Sequence, residues 1–191
     1  MTDLPFPEWG SAAHDAQFSQ ARSCETRATR FERRIRVRNA IEYIAGALVA
    51  LLFGGATIAA LLRGEIAFAL GFLLVLAGTA AVLWNLHRRG ANLERHPEDT
   101  CRAHLRRQYE HQRAALAAVP AWYIGPLLPG TLAIYATVTA KVAEKAGWAT
   151  ALSGIAGPAA ITFGLFAAIA LANLWGARRL AREIAALDAG D

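Results

Sequence analysis

The sequence predicts an all-α integral membrane protein, with four transmembrane helices in two hairpins and amphipathic helices on the cytoplasmic side. Three observations lead there. The chain of 191 residues is 55% apolar and 18% charged, with mean hydropathy +0.28, too apolar for an ordinary soluble domain of this length. Its charged and apolar residues segregate: stretches 41–62, 66–86, 122–140 and 155–176 hold no ionised side chain except Glu42 at the start of the first. Each is about twenty residues long, enough for a helix to cross a hydrocarbon core of about 30 Å. Finally, seventeen of the twenty Lys and Arg residues fall in three of the five flanking segments.

A soluble bundle is the competing fold, but its helices normally keep a polar stripe, and AFALGFLLVLAGTAAVL in the second stretch has none. Barrel strands would alternate in polarity, which these runs do not. A cleavable signal peptide is not expected either, since the first apolar run begins only at Ile41.

Segment 1–40 is polar with a helical stripe, Phe18, Ala21, Cys24, Ala28, Phe31 and Ile35, and predicts an amphipathic helix running into the first span. Arg33, Arg34, Arg36 and Arg38, with Glu42, are expected to anchor that span at the lipid headgroups. In the first hairpin, 41–86, only Arg63, Gly64 and Glu65 join the spans, which forces an antiparallel pair. Small residues recur at Gly46, Ala50 and Gly54, at Gly71 and Gly78, and later at Ala160 and Gly164, spacings that allow close helix approach within one chain or between copies.

Segment 87–121 predicts a cytoplasmic helix. Its start is placed at Pro97 with Glu98 and Asp99 at the positive end of the dipole, and its end at Pro120. Cys101, Leu105, Gln108, Gln112 and Leu116 share one face. The second hairpin, 122–176, opens with Pro126 and Pro129 close together, read either as a functional hinge or as a structural re-entry turn. The tail, 177–191, continues the pattern with Leu180, Ile184 and Leu187.

Basic residues are retained on the cytoplasmic side during insertion, so both termini and the central segment are expected inside. Trp84, Trp122 and Trp175, with Tyr43 and Tyr123, fall at the predicted cytoplasmic boundary and are read as interfacial anchors. Trp148 falls at the opposite boundary, and Trp9 lies outside the pattern. The pI of 9.8 is accounted for by topology and anionic lipid. No nucleic-acid partner is expected, because no basic patch is interleaved with aromatic residues that would stack bases.

Catalytic chemistry finds little support. Cys101, His104 and His111, with Cys24 and His96, form the only candidate metal set, and it lacks the paired spacing of structural sites; His104 and His111 are read as solvated or interfacial. Two cysteines on the cytoplasmic side predict no structural disulfide. The spans carry Thr57, Thr79, Asn85, Thr131, Thr137, Thr139, Thr162 and Asn173 as polar groups, with no carboxylate, Lys, Arg or His near mid-depth. The threonines can bond their own helix carbonyls, and Asn85 and Asn173 are placed to bond between helices. No catalytic triad, phosphate loop or dinucleotide motif is present, and no cofactor is implied.

Phe31-Glu32-Arg33-Arg34-Ile35-Arg36-Val37-Arg38-Asn39 followed by Glu42-Tyr43, with His104-Leu105-Arg106-Arg107-Gln108, Gln112-Arg113 and Trp122-Tyr123 before Pro126 and Pro129-Gly130, resembles a family of small uncharacterised bacterial four-helix membrane proteins. The resemblance covers residues 18 to 140, and the two extremities depart from it. That family has no established activity. Some members occur beside genes for alternative sigma factors and their regulators, so the resemblance implies membrane-linked regulation.

The sequence thus predicts a non-enzymatic inner-membrane protein whose cytoplasmic helices form an interaction or scaffolding surface, with Leu105, Tyr109 and Leu116 contributing the contact. The same helices can instead pack on one another or lie on the anionic leaflet. Its partners are expected to be the lipid bilayer and a cytoplasmic protein or a second copy. The alternative is a small oligomeric transporter or channel subunit gated around Pro126 and Pro129.

Overall fold

The computed structural model describes residues 7–189, with side chains from Arg22 onward, and every regular element among them is helical. Trp9, Phe18 and Ala21 lie outside the described side chains. Helix α1, Pro7–Leu62, is one uninterrupted element of 56 residues, roughly 84 Å at 1.5 Å per residue. The basic amphipathic segment therefore runs directly into the first apolar stretch. Gly64, at φ +72°, makes the tight turn into α2, Ile66–Arg89, which ends on Arg88 and Arg89, cations suited to the negative end of its dipole.

Helix α3 spans Cys101–Ala117, four residues beyond the start expected at Pro97. Asp99 is the reason: its carboxylate accepts from the His96 N–H at 3.3 Å and pairs with Arg107, tying 96–99 into a turn. Thr100 then caps the helix, accepting from the Ala103 N–H at 3.3 Å. After Ala117 the chain forms a π-helical turn, Pro120–Ile124, and enters α4, Gly125–Ala146. The segment Pro120–Ala146 is inclined by 51° to α3. Gly147, at φ +82°, supplies the next turn, and α5, Trp148–Ala189, carries the fourth apolar stretch and the tail as one helix of 42 residues.

Three helices are long and apolar enough on their own to cross a membrane, and a fourth qualifies when α3 and Pro120–Ala146 count as one bent element. Their apolar faces are largely exposed, and no residue in the most apolar part of α5 is buried. A water-soluble chain rarely exposes contiguous apolar surface on this scale, and the arrangement is compatible with a membrane protein.

Around the apolar half, α1 packs on α2, α2 on α4 and α4 on α5, whereas α1 and α5 scarcely touch. The central α2–α4 contact is close because glycines leave room: Gly71 lies against Ile134, Gly78 against the Pro126 carbonyl, and Gly130 against the backbone of Val75. Gly46 likewise seats Leu83 of α2 against α1, while Gly54 and Gly164 have no neighbour within 4 Å. Pro126 occupies the first turn of α4, where its missing N–H is no loss. The helix continues through Pro129, and the bend precedes both prolines. Pro126 lies at the α2–α4 contact, its carbonyl against Gly78, while Pro129 is exposed, and the bend falls between Ala117 and Pro120, where the chain re-enters from α3.

In the polar half, α3 packs between the basic part of α1 and the tail of α5. Leu105, Tyr109 and Ile184 form its core with Cys24, Ala28, Phe31, Leu180 and Leu187 around them. The three polar segments form one packed unit, the alternative in which these helices pack on one another.

Candidate functional site

The junction between the two halves is built by polar side chains that helical spacing places on inward faces. Gln108 and Gln112, four residues apart on α3, are each 1% exposed. Gln108 donates to Asn92 Oδ1 at 2.7 Å and accepts from the Leu93 N–H at 2.8 Å. Gln112 donates to the Ala91 carbonyl at 3.2 Å and accepts from Arg38 Nη2 at 3.2 Å. From α1, Asn39 donates to the Gly90 carbonyl at 2.8 Å, and Asn92 donates back to the Glu32 carbonyl at 3.2 Å. The connection 90–93 is thereby held on both sides by amides, whose donors and acceptors satisfy backbone groups that burial would otherwise leave unpaired.

Arg38 and Glu42 are not simple headgroup anchors. Arg38 is half-buried against Asn39 and Gln112, and burial lowers its guanidinium pKa from the ordinary arginine value while Glu42 opposes that shift. Glu42 accepts a hydrogen bond from the Tyr123 hydroxyl at 2.7 Å. Arg33, Arg34 and Arg36 remain exposed, as do Trp84 and Trp175, but Trp122 is 8% exposed. Its indole N–H donates to the Ala115 carbonyl at 2.9 Å, and its ring packs with Leu86 and Val119. Trp122 thus faces the protein interior, and half-buried Tyr123 beside it reaches Glu42.

Leu105 and Tyr109, expected to contact a partner, are 1% and 9% exposed. Their contacts are internal: the Phe31 and Tyr109 rings meet edge to face at 4.7 Å, and Leu116 is half-buried near Gly176. His104, expected to be solvated or interfacial, is buried with Nε2 3.2 Å from Glu32 Oε1. The expectation of no disulfide is overturned, since Cys24 is bonded to Cys101 with their Cα atoms 6.3 Å apart. Packing α3 on the α1 stripe brings the two cysteines together, a proximity that the compartment argument did not weigh. Cys101 is then committed to Cys24 and His104 to Glu32, so the set Cys101, His104 and His111 is not assembled. Among the described residues no group of three potential metal ligands occurs.

Above the junction lies a cavity of about 530 Å³ bounded by α1, α2, α4 and α5. Glu42 is the single charged residue in its lining; Phe53, Phe72, Val75, Ile134 and Phe166 supply much of its apolar wall. Thr79 and Thr131 also line it, but each hydroxyl is bonded to a carbonyl of its own helix, at 2.9 Å in both cases. Tyr135 closes the α4–α5 side, with its hydroxyl 2.9 Å from the Pro158 carbonyl and 2.6 Å from Thr162 Oγ1. Asn85 and Asn173, expected to link helices, instead bond within their own, to Ala81 and Ile169. What remains is an apolar chamber with one carboxylate–phenol pair at the end nearest the polar half. Such a site accommodates an apolar chain carrying a hydrogen-bond donor or cation at one end. Comparison with protein-family models, with curated proteins and with solved structures gives no match.

Proposed function

We propose that the chain is a non-enzymatic, multi-pass protein of the bacterial inner membrane that binds a lipid-like molecule in the chamber between α1, α2, α4 and α5. The observation that carries this reading is an apolar cavity of about 530 Å³ with Glu42 as its single charged lining residue, beside helices α1 and α5 that scarcely touch. An apolar molecule in the bilayer enters sideways through that gap, and its polar end meets Glu42 and Tyr123. The one-sided distribution of Lys and Arg supports termini in the cytoplasm, with Gly64 and Gly147 at the opposite face, whereas the Cys24–Cys101 disulfide in the same polar half weighs against a reducing compartment.

Filling the chamber tests the reading. Full-length protein extracted in mild detergent should retain an apolar molecule detectable by native mass spectrometry, and Val49→Trp, on the α1 wall of the chamber, should displace it without changing the melting profile. Identical spectra for both proteins, with no retained molecule in either, would sink the proposal. Reporter fusions at residue 191 and at Gly147 separately test the orientation.

A second reading, an oligomeric transporter or channel subunit, is favoured by the outward small-residue surfaces at Gly54 and Gly164. It requires solute flux in liposomes containing the purified protein alone. A cytoplasmic scaffold draws less support, because Leu105 and Tyr109 are used in internal packing.

A further inference from the structure

A groove of about 580 Å³ lies in the polar half, walled by α1 and α5 and floored by α3. Five arginines line it, Arg27, Arg30, Arg34 and Arg38 from α1 and Arg179 from α5, against a single carboxylate, Glu183. The α1 arginines recur at three and four residues and so share one face over roughly 16 Å of helix. Among the described residues Arg27, Arg30, Arg34 and Arg179 form no ion pair. Concave surface, convergent guanidinium groups and unmatched positive charge together describe an anion site, and planar guanidinium forks suit phosphate oxygens in particular.

We infer that this groove binds the phosphodiester headgroup of an anionic phospholipid. The inference rests on the membrane placement proposed above, while its site is separate from the apolar chamber. A lipid is favoured over a soluble phosphate compound because the groove continues into exposed apolar surface. Along α1 the arginines give way to Val37, Ile41 and Ile44, and along α5 Arg179 gives way to Trp175 and Leu171, all of them exposed. A headgroup among the arginines leaves its acyl chains along those residues, with Trp175 at headgroup depth.

The test uses full-length protein in mild detergent, titrated with dihexanoylphosphatidylglycerol while its thermal stability is followed. Dihexanoylphosphatidylcholine and inorganic phosphate are the comparison ligands. The wild-type protein should be stabilised saturably by the glycerol lipid and not by the choline lipid. Arg27→Gln/Arg179→Gln should weaken the apparent affinity about thirtyfold, whereas Arg88→Gln/Arg89→Gln, at the exposed end of α2, should leave it unchanged. Saturation by inorganic phosphate at the same concentration would overturn the lipid in favour of a soluble phosphate compound. Equal weakening in both variant pairs would reduce the effect to general surface charge and overturn the site. Should the groove variant fail to fold, phospholipid retained by wild-type protein from native membranes gives an independent readout. Enrichment of anionic lipid over the bulk membrane supports the inference, and bulk composition refutes it.

Discussion

Helices α1 and α5 are both held against α3 in the polar half, yet the same two helices scarcely touch in the apolar half. On the membrane placement proposed above, the difference follows from what each half gains by packing. Near water, burying Phe31, Leu105, Tyr109 and Ile184 removes apolar surface from solvent and draws three segments together. In a lipid surrounding, helix association gains little from apolar burial and depends on close backbone approach and a few polar contacts. Contact in the apolar half is accordingly concentrated where glycines permit it, along α2 and α4, and a chamber remains where they do not.

The sharpest way to break that contrast is at Gly78. A side chain there meets the Pro126 carbonyl and the backbone of Leu127, which cannot yield as a flexible side chain would. Gly78→Leu should destabilise the protein by about 3 kcal/mol or more, seen as a lower melting temperature in detergent. Gly54→Leu, facing open space, should change stability by less than about 0.5 kcal/mol. Equal effects would show that the α2–α4 seam is not what organises the apolar half.

Reduction of Cys24–Cys101 acts on the other side of the comparison. The bond closes a separation of 77 residues, and a crosslink of that span stabilises by roughly 2–4 kcal/mol. The lower part of that range is expected here, because α1 and α2, already paired as a hairpin, shorten the effective loop. Hydrogen exchange after treatment with dithiothreitol, or in Cys24→Ser, should show faster exchange in α3 and the α5 tail with little change in α2 and α4. Uniform loosening would mean that the halves unfold as one unit.

Gln112 sits where the halves join. Gln112→Ala removes a side chain that is 1% exposed, and with it one of the two acceptors of Arg38, which keeps Asn39, and the donor to the Ala91 carbonyl, a loss of about 2 kcal/mol. The replacement should lower the melting temperature and free connection 90–93 to proteolysis. Protection unchanged from wild type would remove the amide network from the account.

Much of this architecture was legible in the primary structure. Long uncharged stretches and the three-residue link 63–65 are local signals, and the shared face of Cys101, Leu105, Gln108, Gln112 and Leu116 follows from helical spacing. Which neighbour such a face meets is a tertiary property, so a surface assigned to a partner became the protein's own core at Leu105 and Tyr109. The disulfide was hidden for the same reason: Cys24 lies on the α1 stripe and Cys101 on the α3 stripe, but only packing brings them within bonding range. Glu42 looked like a boundary charge because its position in the stretch is visible while its direction is not. Its partner, the Tyr123 hydroxyl, comes from a segment eighty-one residues further along the chain. A chamber between four helices has no sequence signal, since its lining comes from segments more than a hundred residues apart.

The smallest expected effect joins the polar core to the arginine groove. Burial raises the pKa of the Tyr109 phenol above its ordinary value and Glu183 adds to the rise, while Arg27 and Arg34 pull it down. The folded state therefore favours the neutral phenol. Its contribution to stability is complete below the unfolded pKa, near 10, and is lost as pH rises through the higher folded value. Wild-type protein should lose stability over that alkaline interval and Tyr109→Phe should lose less. Arg27→Gln removes one of the charges that tolerate the phenolate, so its alkaline loss should be steeper than that of wild type. A slope unchanged by Arg27→Gln would mean that the groove's charge does not reach the core, and that the two sides of α1 act independently.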